Sequence, residues 1–137
     1  MQLDHICLAV RQIDPASKKI CDLLGYELRT NKVENTRQKV IVQFLKKAGS
    51  PDMKLIEPAT KDSPLWAFLK KGGGLHHVCF KTDDVLEQCK ELEEKGGRII
   101  SKPEPGEAFD EELIAFCFAG FGLNLEIIDT DKRRDQI

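Results

Sequence analysis

Sliding the chain along itself by 72 residues, without gaps, lays Leu3-Asp4-His5-Ile6-Cys7-Leu8 on Leu75-His76-His77-Val78-Cys79-Phe80. In the same register Ile13 falls on Val85, Ile20 on Leu92 and Gly25 on Gly97. Val42 falls on Ile114, Phe44 on Phe116, and Lys54-Leu55-Ile56 on Glu126-Ile127-Ile128. One offset that matches histidine, cysteine and glycine, with apolar residues between, marks a duplicated module. Any fold for this chain must therefore be built from two copies of one unit.

The local pattern of each half agrees with that reading. Residues 2–10 alternate as a strand does. Asp14-Pro15 reads as a helix start, Asp as cap and Pro at the first helical position. Ile20, Leu23 and Leu24 give that helix an apolar face, and Gly25 ends it in a left-handed conformation. The runs 26–33, 38–46 and 53–58 read as strands. In the second half, strand 75–81 leads to a cap at Asp83. Val85, Leu86, Cys89 and Leu92 form the buried stripe, Gly96-Gly97 stops it, and strands follow near 97–101, 112–118 and 123–129. Ser63-Pro64 starts a short helix carrying Leu65, Trp66 and Leu69, which ends in Gly72-Gly73-Gly74. The expected fold class is α+β: two βαβββ modules that pair their sheets into a half-open barrel, with the helices outside. Residues 1–60 and 74–130 are the expected modules, 61–73 the linker and 131–137 a C-terminal tail.

Strand alternation assigns the faces. Ile6, Leu8, Val78, Phe80, Leu125 and Ile127 are expected against the helices. His5, Cys7, His77, Cys79, Lys54, Asn124 and Glu126 are expected on the concave side. A polar, titratable interior needs a reason. A single inward histidine would read as a satisfied core residue. Two, at matching positions of matching strands and joined by a carboxylate on the last strand, make a metal-ligand set. Neutral imidazole with carboxylate suits one divalent ion of the Zn²⁺, Co²⁺, Ni²⁺, Mn²⁺ or Fe²⁺ type. Cys7 and Cys79 follow the histidines by two residues, about 7 Å along a strand, which is too far to share an ion with them. They read as small filler. His76 is expected on the face opposite His77.

Composition excludes other classes. With 21 basic and 23 acidic residues, interspersed, the net charge is −2, which is no nucleic-acid footprint. No run approaches the ~20 apolar residues that span a bilayer. The start, Met1-Gln2-Leu3-Asp4-His5, lacks the pattern of a secretory signal. A cytoplasmic location is expected, in which five cysteines stay reduced. The one basic cluster, Lys132-Arg133-Arg134, reads as a solvated, frayed terminus. Loop 101–111 is acidic and rich in Pro and Gly, and could close over a pocket mouth.

The segments Leu3-Asp4-His5-Ile6-Cys7-Leu8-Ala9-Val10, Asp62-Ser63-Pro64 through Phe68-Leu69, Gly73-Gly74-Leu75-His76-His77-Val78 and Leu125-Glu126-Ile127 resemble the vicinal oxygen chelate (glyoxalase/bleomycin resistance/dioxygenase) superfamily. Within it the chain is most similar to methylmalonyl-CoA epimerases and to short bacterial glyoxalase I-like proteins, over residues 2–130. The resemblance implies a divalent ion on His5, His77 and Glu126, and a small-molecule substrate that chelates it through adjacent oxygens, of acyl thioester or hemithioacetal type. It also implies a homodimer. Its usual fourth ligand, Glu or Gln, falls on Lys54, which the repeat independently pairs with Glu126. Glu57 lies on the other face and is a poor substitute.

Lys54 leaves three readings open. The site keeps two histidines and one carboxylate with open positions for water or substrate. Or Lys54 sits uncharged beside the ion as a base, since desolvation and a nearby cation lower a lysine pKa. Or Lys54 pairs with Glu126 in a metal-free pocket that binds an anion. A lysine snorkelling to solvent is the bland alternative. A second departure is Phe118-Ala119-Gly120-Phe121-Gly122, where epimerases carry a His-Pro-Lys turn. The resemblance implies proton removal next to a metal-bound carbonyl, with Glu126 and Lys54 as catalytic candidates. Its outcome is epimerisation, or isomerisation as in a lactoylglutathione lyase. The rivals are an Fe(II) oxygenase and a metal-free drug-binding module of the bleomycin-resistance type.

Overall fold

A computed structural model describes residues 1–137. The first half runs β1 (Gln2–Ala9), α1 (Ile13–Leu24), β2 (Glu27–Leu28), β3 (Val33–Asn35), β4 (Val40–Lys46) and β5 (Asp52–Pro58). A short α2 (Leu65–Lys70) links it to β6 (Gly74–Lys81), α3 (Val85–Glu94), β7 (Arg98–Gly106), β8 (Glu112–Gly120) and β9 (Leu123–Ile128). Advancing β1 by 72 residues gives the bounds of β6 without adjustment. The strands form one open mixed sheet in the order β2-β4-β5-β1-β6-β9-β8-β7, with β3 also pairing β4. The halves meet within one chain, where β1 and β6 pair antiparallel. Each then pairs in parallel with the last strand of its own half, β1 with β5 and β6 with β9.

The outer face packs on the helices as the alternation requires. Ile13, Leu45 and Leu55 are buried with Leu8 and Ile20 under α1. Val85, Cys89, Ala115, Leu125 and Ile127 are buried with Val78 and Phe80 under α3. The concave face holds the largest cluster, which includes Cys7, Cys79, Val42, Phe44, Ile56, Phe109, Ile114 and Ile128. Both cysteines act there as small apolar filler. Burial pushes the Cys7 thiol up to about 12, so it carries its proton.

Several expectations are corrected. Helix α1 begins at Ile13, with Gln12 in the cap position, so Asp14 is not its cap. The Ile13 amide donates instead to the Glu57 carboxylate at 3.1 Å. The equivalent α3 amide, Val85, donates to Asp129 at 3.1 Å. The second cap is Asp84 rather than Asp83, and it accepts from the Glu87 amide. The run 26–33 is not one strand. It breaks into β2 and β3 because the C-terminal segment inserts there, bridging Gln136 to Thr30 and accepting from the Asn31 amide at Asp135.

That C-terminal segment is not frayed. Arg133 is 2% exposed, and the Arg134 amide donates to the Ala108 carbonyl. Loop 101–111 is not a loose flap either. It completes β7 and a 3-10 turn, Glu107–Phe109, whose Ala108 and Phe109 are buried in the concave cluster. No helix is long and apolar enough to cross a membrane.

Candidate functional site

Four side chains from the four central strands meet on the concave face: His5 of β1, Lys54 of β5, His77 of β6 and Glu126 of β9. All are buried, with Glu126 and His5 at 0% exposure. Glu126 Oε1 lies 2.8 Å from His5 Nε2 and 3.3 Å from His77 Nε2. Lys54 Nζ donates to both Glu126 oxygens at 3.3 Å. The ligating atoms of His5, His77 and Glu126 all lie within 4.8 Å of one another.

Lysine and carboxylate hold each other charged. Burial opposes the Lys54 charge, but the Glu126 carboxylate outweighs it and raises the lysine above its ordinary pKa. Burial likewise opposes the Glu126 charge, but Lys54 and the two neighbouring histidines hold the carboxyl well below the usual range. With no ion beside it, Lys54 is thereby held as an ammonium. Burial pushes the His77 imidazole down to about 4, so it is neutral near pH 7.

Each histidine is preceded by the odd residue of a β-bulge. Across the β1–β6 seam the register skips Asp4 on one strand and His76 on the other. A bulge turns the extra side chain toward its neighbour's side. Asp4 Oδ2 thereby reaches His5 Nδ1 at 2.7 Å, and His76 Nδ1 reaches His77 Nδ1 at 2.8 Å. This overturns the expectation that His76 points away from His77. The seam also sets Cys7 opposite His77 and Cys79 opposite His5, so two further groups, Cys7-His76-His77 and Asp4-His5-Cys79, cluster their ligand atoms.

These residues can hold a divalent ion. Two donors ~2.1 Å from one ion and roughly 90–110° apart are themselves about 3.0–3.4 Å apart. The observed separations of 2.8 and 3.3 Å are close to that. His5 Nε2 is buried without a hydrogen-bond partner despite its nearness to Glu126, so neither atom is aimed along an N–H···O line. Where Nδ1 donates its proton to Asp4, Nε2 is left with the lone pair. An orphaned lone pair converging with a carboxylate and a second imidazole is what a cation would satisfy. Lys54 occupies the remaining quarter.

Phe44, Phe109 and Arg133 belong to the site and escaped sequence reasoning. His5 lies edge-on to Phe44 at 5.3 Å and stacks on Phe109 at 6.1 Å. Arg133 lies over the same two rings and bonds to Asp4 at 2.5 Å. The only available signal was Phe44 matching Phe116 in the repeat, and Phe116 does lie 5.4 Å from His77.

A cleft of about 430 Å³ is lined by residues of both halves and of α2. Its lining combines the polar His76, Asn124, Arg37 and Gln38 with the apolar Phe116, Val40, Ile56 and Phe68. Asn124 precedes Glu126 by two residues on the same face, and Ile56 follows Lys54 by two. The cleft lining thus neighbours the charged centre in sequence, while His5, Lys54, His77 and Glu126 are themselves buried behind it and do not line it.

The chain matches the family model of the Glyoxalase/Bleomycin resistance protein/Dioxygenase superfamily over residues 4–131. It is 40% identical over 117 residues to the uncharacterized protein YqjC of Bacillus subtilis, covering 84% of this chain and 81% of that one. It is 30% identical over 106 residues to an ethylmalonyl-CoA/methylmalonyl-CoA epimerase of Cereibacter sphaeroides, covering 76% and 78%. The crystal structure of methylmalonyl-CoA epimerase from Mycobacterium tuberculosis superposes with a TM-score of 0.82 at 26% identity, over 93% of this chain and 87% of that one. With its duplicated modules, open sheet and concave polar centre, the chain belongs to the glyoxalase/bleomycin resistance/dioxygenase superfamily.

Proposed function

We propose that the chain is an isomerase of the epimerase type, acting on a carbon-bound proton next to the carbonyl of an acyl thioester. The observation that carries the proposal is the convergence of His5, His77 and Glu126, whose ligand atoms all lie within 4.8 Å of one another. The likeness to proteins named as methylmalonyl-CoA epimerases supports the substrate class. In this reading His5, His77 and Glu126 hold one divalent ion, which when bound supplies a Lewis acid for a carbonyl oxygen.

The chain's own groups do the rest. Glu126, kept ionised, accepts the carbon-bound proton and returns it. Lys54, kept protonated, would stabilise negative charge that develops on a substrate oxygen brought beside it. Phe44 and Phe109 keep water from both. The test is exchange of the substrate's α-proton with deuterated solvent. Glu126→Gln is expected to abolish it, and full retention would sink the scheme.

One observation favours a second reading. The Lys54 ammonium neutralises Glu126 from 3.3 Å with no ion required. In that reading the chain is a metal-free binding module for a small anionic or carbonyl ligand. Metal content per chain of protein purified without chelator or His-tag separates the two. About one ion per chain, lost in His77→Ala, supports the enzyme. No uptake after dialysis against Zn²⁺, Co²⁺, Ni²⁺ or Mn²⁺ supports the binding module.

A further inference from the structure

The C-terminal segment brings one side chain into the centre of the molecule, and no feature of the repeat accounts for it. Arg133 is 2% exposed, lies 4.6 Å over the Phe44 ring and 4.9 Å over the Phe109 ring, and donates Nη2 to Asp4 Oδ2 at 2.5 Å. Its Nε is buried without a partner. The Asp4 oxygen that receives the arginine is the one that faces His5 Nδ1. Stepping back by 72 places Lys61, an exposed linker residue, at the matching position, so the second histidine has no such support. His77 is braced instead by His76, which packs on Phe68 of α2 at 4.9 Å.

Two carboxylates face the ring nitrogens of His5, and a ring that carries a single proton can donate to only one of them. Asp4 stands 2.7 Å from Nδ1 and Glu126 stands 2.8 Å from Nε2. If the proton sits on Nε2, it faces Glu126 and the ring has no lone pair to offer there. If it sits on Nδ1, it binds Asp4 and Nε2 is free to act as a ligand. Glu126 already accepts from Lys54 and lies 3.3 Å from His77 Nε2, whereas the Asp4 oxygen that faces His5 is held by Arg133. We infer that Arg133 is a positioning residue, which clamps Asp4 against His5 and so fixes the imidazole as its Nδ1–H form with Nε2 turned to the centre. The C-terminal segment is thereby a functional part of the site. This inference rests on the assignment of His5 as a ligand for its consequence, but not for its test.

The experiment compares wild type, Arg133→Met and Arg133→Lys by nitrogen-15 NMR of the histidine rings in metal-free protein at neutral pH, followed by Co²⁺ titration. In wild type His5 is expected to be entirely Nδ1–H. Arg133→Met is expected to populate the Nε2–H form. Arg133→Lys, which keeps a charged donor for Asp4, is expected to restore the wild-type pattern. Co²⁺ affinity should fall by about 10–100-fold in Arg133→Met, as for other supporting partners of a ligand histidine, and recover in Arg133→Lys. Should Arg133→Met not fold, Arg133→Gln removes the charge while keeping a polar side chain and gives the same comparison. An unchanged Nδ1–H form in a folded, charge-free variant overturns the inference. Wild type that takes up no Co²⁺ would overturn the ligand assignment, while the tautomer comparison would still decide the role of Arg133.

Discussion

Glu126 has no contact with solvent, and its two oxygens face one ammonium and two imidazoles. An ammonium beside a divalent ion is unfavourable by several kcal/mol even at an effective dielectric of about 20. Lys54→Gln removes that charge and offers a neutral oxygen donor at the same place. It is expected to raise divalent-metal affinity at least tenfold, read by Co²⁺ titration; an unchanged affinity would show that Lys54 does not oppose the ion. His77 gives a second residue-level outcome. Its folded pKa, about 4, lies below the ordinary 6.5. Between those values the unfolded chain binds the extra proton, so stability is full above about 6.5 and falls as pH drops toward 4. The loss is on the order of 3 kcal/mol for a shift of that size. Burial lowers His76 in the same direction and adds to it. Urea midpoints of metal-free protein across this window are expected to decline in wild type and to flatten in His77→Gln. The repeat made His5, Lys54, His77 and Glu126 legible, because each is fixed by its counterpart. Asp4 and His76 were misread because simple alternation fails at a bulge. Arg133 was invisible because its partner lies 129 residues away.

The first amide of each outer helix is satisfied by a carboxylate at the end of the strand beneath, and α3 has in addition its own cap, Asp84. Glu57 and Asp129, which the repeat superposes, each accept the first amide of α1 or α3 at 3.1 Å. Orphan amides at a helix start are worth roughly 1 kcal/mol when satisfied by a side chain. Glu57→Ala and Asp129→Ala are therefore each expected to lose on the order of 1 kcal/mol in urea unfolding, without altering proton exchange or metal uptake. Equal loss of activity would mean that the caps also set the sheet's curvature at the site. A local sequence pattern points to Asp14 and Asp83 as caps because it carries no information about which strand passes below. The matched glycines show a related limit. Gly25 takes the left-handed φ of 74° that ends α1, whereas in the second half Gly96 takes that part at 96°. Gly97 instead lets the chain pass close to Leu92 and Cys117, where a Cβ would meet atoms at 2.9 and 3.0 Å. Matched identity preserved the element, and packing changed its use.

The Lys54–Glu126 pair is a bond between the two halves of the molecule, made by positions that the duplication superposes on each other. Breaking one partner of a buried pair leaves an uncompensated charge and costs about 3–5 kcal/mol, whereas removing both leaves neither. Lys54→Met and Glu126→Leu are each expected to destabilise strongly, and the double variant to lose at least about 2 kcal/mol less than their sum. Its recovery stays incomplete because His5 and His77 lose the carboxylate they share. A double variant no better than the sum would mean that the halves are held by the β1–β6 seam and its apolar flanks alone. The same logic ties stability to ion binding. Lys54→Gln leaves Glu126 unpaired at the seam, so added Zn²⁺ or Co²⁺ should raise its melting temperature by more than it raises that of wild type. A pair that apolar residues could replace for stability, kept at the one place where both halves present histidines, is explained by chemistry at the centre rather than by the need to join the modules.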